Sequence, residues 1–319
     1  MSGLTKTDLF ERIIRTYPNL SPKKKRVADF ILNDYKSLFL LTAKELARLC
    51  RVSEPTIIRF VNDLGFTGYS EFEQHIKGLL HIELTSVERL LKVNPVAQRV
   101  TTLRAYTDIT ITNLENMINS ISEQELVSVA RAIHQAPNVI VAGYRASASL
   151  ATYFGYLLRK IRDTVDIETH SSSDILDRIA LLGSSVLLVA ICFPRYPRRT
   201  IELAEYARKF GARIIGVSDT PKSPLVAQSD QFVIIDMEGI TFVDPFAHII
   251  TFLGALIHEV AFLDKEATIR RLSKIEDGVR EREEFYSLEH EGVKDYDPLE
   301  FPSQDMIATI PPVRPGEGD

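Results

Sequence analysis

Two short segments in the second half of the chain carry residues suited to holding an anion. The first, GYRASAS (143–149), follows the apolar run VIVA and opens a helical pattern. Gly143 suits a tight turn, and Ser147 and Ser149 stand at a helix N-terminus, where unpaired N–H groups favour negative charge. The second, FPRYPRRT (193–200), follows VLLVAIC and brings Arg195, Arg198 and Arg199 to the entry of the next helix. Guanidinium groups make bidentate bonds to carboxylate or phosphate, and Arg145 in the first segment adds another. The plainer alternative for each arginine is a solvated surface charge. Asp244 and His248 are one helical turn apart, beside Pro245, at the head of a long apolar segment. Asp-Pro there is an ordinary N-cap and first-turn pair, while His248 is a candidate contact for the same ligand.

The first 82 residues offer different chemistry. They hold 13 Lys and Arg against 9 Asp and Glu, whereas residues 281–319 hold 3 against 11, so only the N-terminal part has the charge sign that suits a phosphate backbone. Ser21-Pro22 starts a helix in which Val27, Ile31, Leu32 and Tyr35 recur at helical spacing. Thr42 and Glu45 predict a capping box on a helix AKELARLC. Arg51-Val52 then connects tightly to Ser53, predicted to cap EPTIIRFVNDL, which Gly65 closes. Ile57, Ile58, Val61 and Leu64 are assigned to the packing face of that last helix, and Pro55, Thr56, Arg59 and Asp63 to the free one. Two short helices joined this way form a helix-turn-helix, whose second helix enters the major groove. Glu54, Thr56 and Arg59 become candidate base readers; Ser53, Lys23, Lys24 and Lys25 become candidate phosphate contacts.

The elements that position these residues fall into an all-α domain and an α/β domain. Residues 85–135 read as helical, with Leu90, Leu91, Val93, Leu114, Met117 and Ile118 apolar and Asn94-Pro95 interrupting. From Val139, the strand candidates VIVAG, TVDIE, VLLVAIC, RIIGVS and QFVIID alternate with helices, which implies a parallel sheet covered on both faces, three layers in all. Ligands in such sheets bind beyond the carboxyl ends of the strands. The boundaries drawn are 1–82 for the helix-turn-helix domain, 83–130 for a helical linker, 131–280 for the α/β domain, and 281–319 for a disordered acidic tail.

The run LSPKKKRVADFILNDYKSLFLLTAKELARLCRVSEPTIIRFVNDLGFTGYSEF resembles the N-terminal domain of the RpiR family of bacterial transcription regulators, over most of residues 4–80. The resemblance implies operator DNA bound as a dimer or higher oligomer. Residues 130–265 resemble the sugar isomerase (SIS) domain of those regulators: Gly143 and Ser147 match its first loop, and SPLVAQSD (223–230) the stretch before its last strand. A phosphorylated sugar held by hydroxyls and backbone N–H groups is what this likeness implies. The second loop departs from the pattern, because Cys192 and Pro194 replace serines, Arg195 a glycine and Pro197 a threonine, while Arg145 replaces a first-loop glycine. Proline has no N–H to donate, so the usual cradle cannot form, and arginines reading a sugar phosphate or carboxylate are expected instead.

Composition narrows the alternatives. With 45% hydrophobic and 25% charged residues the chain is a globular protein, and without a signal-like or membrane-length apolar run it is expected in the cytoplasm, away from membranes. Cys50 and Cys192 lie far apart in apolar stretches and read as small buried hydrophobes. No cofactor or metal motif is read, so neither is expected. The expectation is therefore a DNA-binding regulator, homodimeric or homotetrameric, controlled by a small anionic metabolite. Two alternatives stand beside it: an effector domain that only dimerises, and an isomerase drawing its acid and base from Glu168, His170, Glu202 and His248, which show no catalytic spacing.

Overall fold

The structure, a computed structural model, describes residues 6–73, 75–76, 85–91, 102–237 and 243–285. Helix α1 (Lys6–Thr16) precedes α2 (Pro22–Asp34), where the Ser21 hydroxyl accepts from the Lys24 amide and Pro22 occupies the first turn. The capping box at the head of α3 (Ala43–Leu49) forms as expected, the Thr42 amide donating to Glu45 Oε2 at 2.9 Å and the Glu45 amide to Thr42 Oγ1 at 3.3 Å. Residues 50–53 turn the chain into α4 (Glu54–Asp63), with Arg51 at a left-handed φ of 52°. Gly65, at φ 90°, ends α4; its amide returns to the Asn62 carbonyl and that of Phe66 to the Val61 carbonyl. One apolar cluster, including Leu9, Ile31, Leu46, Ile57, Phe60 and Phe72, fixes these helices around each other.

Two expectations here need correcting. Ile58 is 38% exposed and Phe60 is fully buried, because the packing stripe of α4 runs 57, 60, 61 and 64 and position 58 lies about 100° from its neighbour. Ser53 occupies the N-cap position, yet its hydroxyl makes no cap bond and instead meets Thr56 Oγ1 at 2.9 Å.

The linker contributes α5 (Ser86–Leu91), α6 (Thr102–Ser120) and α7 (Glu123–Gln135). Met117 and Leu114 pack into the core of the α/β domain, while Leu90 and Ile118 face solvent. The Leu91 side chain, Val93 and Asn94-Pro95 lie outside the described residues.

The α/β domain runs β1 (Asn138–Ala142), α8 (Ser147–Ile161), β2 (Val165–Glu168), α9 (Ser173–Leu182), β3 (Val186–Ile191), α10 (Arg198–Lys209), β4 (Arg213–Ser218), β5 (Gln231–Ile234) and α11 (Ala247–Leu263). All pairings are parallel, in the order β2-β1-β3-β4-β5. The two-residue pleat divides the apolar runs between two cores. Val139, Val141, Leu187 and Val189 face α7, α8 and α11, whereas Ile140, Ala142, Leu188 and Ala190 face α9 and α10. Gly155 lets α8 lie close on β2, since a Cβ there would stand 2.5 Å from Ile167 Cγ1. No single helix among the described residues is long and apolar enough to cross a membrane.

The last apolar helix starts at Ala247 rather than at Asp244, with Phe246 in the N-cap position. Asp244 therefore does not cap it. A further helix that the sequence reading did not single out, α12 (Lys265–Glu281), runs from the first of the chain's two units, residues 1–272, into the second, 273–319. Of the expected acidic tail, residues 286–319 lie outside the described residues.

Candidate DNA interface and anion-binding crevice

The outward face of α4 displays Glu54, Ile58 and Arg59 to solvent, and neither Glu54 nor Arg59 has an ion-pair partner among the described residues. Thr56 is half-buried and bound to Ser53. The three lysines of α2 diverge. Lys23 is exposed, Lys24 pairs with Asp63 at the end of α4, and Lys25 lies 5.2 Å from the centre of the Tyr17 ring. Lys24 thus braces α2 against α4. Sequence reasoning missed Ile58 as a surface residue, although the better-spaced stripe through Phe60 would have revealed it. An exposed apolar side chain among readers suits a thymine methyl group. It also passed over Arg51, which stands exposed in the turn.

At the sheet's carboxyl edge, β1 leads to β2 on one side and β3 to β4 on the other, so the loops after β1 and β3 diverge at a switch point. Gly143 is obligatory in the first loop, because a Cβ would lie 2.6 Å from the Ser147 carbonyl oxygen. Ser147 is almost fully buried and its hydroxyl accepts from the Phe193 amide at 3.4 Å, tying the two loops together. Ser149 is exposed and donates to the Ala146 carbonyl at 2.8 Å. In the second loop Tyr196 donates its hydroxyl proton to Asp219 Oδ1 at 2.9 Å, and the Ser218 hydroxyl reaches the Cys192 carbonyl. Burial holds Asp219 up, at about 6, against the lowering effect of the Tyr196 bond. Burial also pushes the Cys192 thiol up to about 12; it and Cys50 are free and buried, as expected.

The arginines stand outside this network. Arg145, Arg195, Arg198 and Arg199 are all exposed. Arg198 pairs with Glu202 one turn on, and the other three have no ion pair among the described residues. Arg145 takes a left-handed φ of 59°, the conformation for which glycine is preferred. His248 is fully enclosed and its Nε2 donates to the Asp236 carbonyl at 3.0 Å, so it braces the segment after β5; burial lowers its pKa. Glu168, 4% exposed, accepts from the amides of His170, Ser171 and Ser172, from the Ser172 hydroxyl and from Tyr144. A cavity of about 600 Å³ lies at the opposite edge, where α7 meets the starts of β4 and β5; it is lined by Ser128, Arg131, Arg213 and Gln231 and lies away from these loops.

Two family models match. "Helix-turn-helix domain, rpiR family" covers residues 7–81 and "SIS domain" residues 132–259. The chain belongs to the RpiR family. It is a transcription regulator with a DNA-binding helix-turn-helix and an SIS domain. An HTH-type transcriptional regulator of Haemophilus influenzae is 23% identical over 229 residues, 71% of this chain and 79% of that protein. One from Caldanaerobacter subterraneus subsp. tengcongensis is 21% identical over 239 residues, 74% and 83% of the two. Among solved structures, the sugar isomerase domain of an RpiR transcription factor from Sphaerobacter thermophilus aligns with TM-score 0.52 at 22% identity, covering 56% of this chain and 98% of that one. NanR of Vibrio vulnificus, complexed with ManNAc-6P, aligns with TM-score 0.51 at 19% identity, covering 86% and 98%. At these identities the structures speak for the fold alone, and that fold matches the expected all-α domain followed by a three-layer parallel-sheet domain.

Proposed function

We propose that this RpiR-family regulator binds operator DNA through α4 and that a small anionic metabolite, bound at the β1 and β3 loops, modulates that binding. The observation that carries the reading is the exposed outer face of α4, where Glu54 and Arg59 stand beside Ile58 with no ion-pair partner among the described residues. Arg59 and Glu54 meet base edges, Thr56 and Ser53 act as a bonded pair at the helix start, and Lys23 to Lys25 lie on the phosphate side. The effector contacts are Gly143, Arg145, Ser147 and Ser149 from the first loop, and Arg195 and Arg198 from the second. His248 supports them by holding the Asp236 carbonyl. NanR's ManNAc-6P complex supports an anionic ligand in an SIS domain of this kind. The domains are drawn as 1–82, 83–130 and 131–280, with 130 falling within α7 and 280 within α12, and a two-fold operator calls for two or four copies of the chain.

A regulator fits the edge chemistry better than an isomerase does. Glu168 is saturated by its five donors, Glu202 pairs with Arg198, His170 meets the Thr169 hydroxyl, and His248 is enclosed, so these groups do not converge on one substrate. The test is binding of the full chain to its own upstream DNA at two salt concentrations. Selective, salt-sensitive binding that Arg59→Ala weakens is expected. Failure on that DNA, with and without candidate anions, removes the reading.

A further inference from the structure

We propose that the crevice takes a charge-dense, hydroxyl-poor ligand, a small di- or tricarboxylate, held by the guanidiniums of Arg145, Arg195 and Arg199. This rests on the crevice being the effector site and names the class of ligand it selects.

The neutral groups that would read sugar hydroxyls are bonded within the fold. Ser147 and Ser218 are buried, the first accepting from the Phe193 amide and the second donating to the Cys192 carbonyl; Tyr196 donates to Asp219, and Ser149, though exposed, gives its proton to the Ala146 carbonyl. Several second-loop amides are also unavailable: that of Cys192 donates to the Val217 carbonyl and that of Tyr196 to the Phe193 carbonyl, while Pro194 and Pro197 have none, which leaves the amides of the arginines themselves. The charged side chains left outward on both loops are all cationic. Adjacent strands set the loops side by side, since Ala142 of β1 pairs with Ala190 of β3. Arg199 stands in the first turn of α10, directly after the second loop. Of the two acidic groups behind the loops, Glu168 is held by its own donors and Asp219 by Tyr196, and neither forms an ion pair with these arginines among the described residues.

Arg145 carries an argument of its own. Its φ of 59° costs an L-residue energy that glycine avoids, yet the side chain makes no hydrogen bond or ion pair among the described residues. Strain held at an exposed cation beside a switch-point crevice points to a ligand on that cation. Guanidiniums reaching from two separate loops match separate carboxylates, each able to take a two-toothed bond.

The experiment is isothermal titration and thermal shift of the full chain with citrate, succinate and 2-oxoglutarate, and with glucose 6-phosphate as the phosphosugar. Variants are Arg145→Gly, Arg195→Gly and, as control, Arg270→Ala on α12. Arg145→Gly places glycine at a φ it favours, so its ligand-free melting point should not fall, and loss of binding is not loss of fold. The expected result is a carboxylate bound at least tenfold more tightly than glucose 6-phosphate, with each crevice variant weakening it about ten- to hundredfold and the control leaving it alone. Glucose 6-phosphate bound as tightly as the best carboxylate, or a carboxylate affinity unmoved by both variants, overturns the proposed class while leaving an effector site in place. Silence toward every one of these anions overturns the class and the effector-site reading together, and favours a domain kept for dimerisation.

Discussion

Arg89 and Asp244 form a buried ion pair between the linker and the segment before α11, and breaking it should cost more than any other ion pair described. Arg89 Nη1 stands 3.0 Å from Asp244 Oδ1, with the side chains 6% and 12% exposed. Arg89 Nε is buried without a partner, and Asp244 is the one carboxylate that meets the guanidinium among the described residues. Asp244→Ala leaves a desolvated cation, for which about 3 kcal/mol of destabilisation is expected. Arg89→Met keeps the apolar stem and leaves a carboxylate that water can reach more easily, so about 1 to 2 kcal/mol is expected. The double variant should then cost clearly less than the sum, by about 2 kcal/mol, since neither charge is stranded. Urea unfolding followed by far-UV circular dichroism on all four proteins reads these numbers, with the slope checked for constancy because two domains are involved. Additive single effects, or an Asp244→Ala cost below about 1 kcal/mol, would refute the view that this pair is buried and mutually dependent.

Other outcomes follow from the same geometry. Asp219 has a folded pKa raised to about 6, so the folded state binds its proton more tightly than the unfolded chain does, and the group's penalty is full above that pH. Asp219→Asn should therefore be more stable than wild type at pH 7, by about 2 kcal/mol, with the gap closing as pH falls from 6 toward 4; denaturation midpoints across that range test it, and a constant gap contradicts it. Thr42→Ala removes the capping box and should cost about 1 kcal/mol of N-terminal domain stability by thermal melting. Gly155→Ala drives a Cβ into Ile167 and should cost about 1 to 3 kcal/mol without abolishing folding. Arg59→Ala should lower the slope of log affinity for DNA against log salt by about 1 if Arg59 meets a phosphate, and leave the slope while relaxing sequence preference if it meets a base.

Periodicity and cap chemistry made the fold legible, while side-chain partners escaped them. Thr42-Glu45, Ser21-Pro22 and Gly65 are local signals, complete within a few residues, and each appears where it was expected. The five parallel strands were legible because a strand buried on both faces is apolar throughout, as in β3. Ile58 was misassigned because apolar type was weighed above its angle on the helix. Asp244 was taken for a cap because Asp-Pro is ordinarily one; its partner is 155 residues away, and no local pattern reports a contact of that span. Ser53 has the residue type and position of a cap but spends its hydroxyl on Thr56. At the crevice, the residues brought to the edge were foreseeable from the strand ends. That Ser147 and Tyr196 bond internally while Arg145, Arg195 and Arg199 have no ion pair among the described residues depends on loop geometry.

The linker helix α5 is where these observations meet. Glu88 is bound by Lys36 of the N-terminal domain at 2.6 Å, an interaction that lowers its pKa to about 2, and the next residue, Arg89, is bound by Asp244. Asp244 in turn lies four residues before His248, whose ring holds the carbonyl of Asp236 just beyond β5, on the same edge of the sheet as the crevice. Adjacent side chains of one short helix thus grip the helix-turn-helix domain on one side and the segment leading into α11 on the other. Control of DNA binding by a ligand requires two arrangements that the ligand binds with different affinity. Half-buried Lys36–Glu88 keeps access to water and can exchange the bond for it at little cost, whereas the buried Arg89–Asp244 pair has no cheap intermediate between made and broken. Of the two, the buried pair is the one that can hold an arrangement in place. A variant that breaks it should therefore change the effector's influence on DNA affinity more than it changes either ligand's intrinsic contacts.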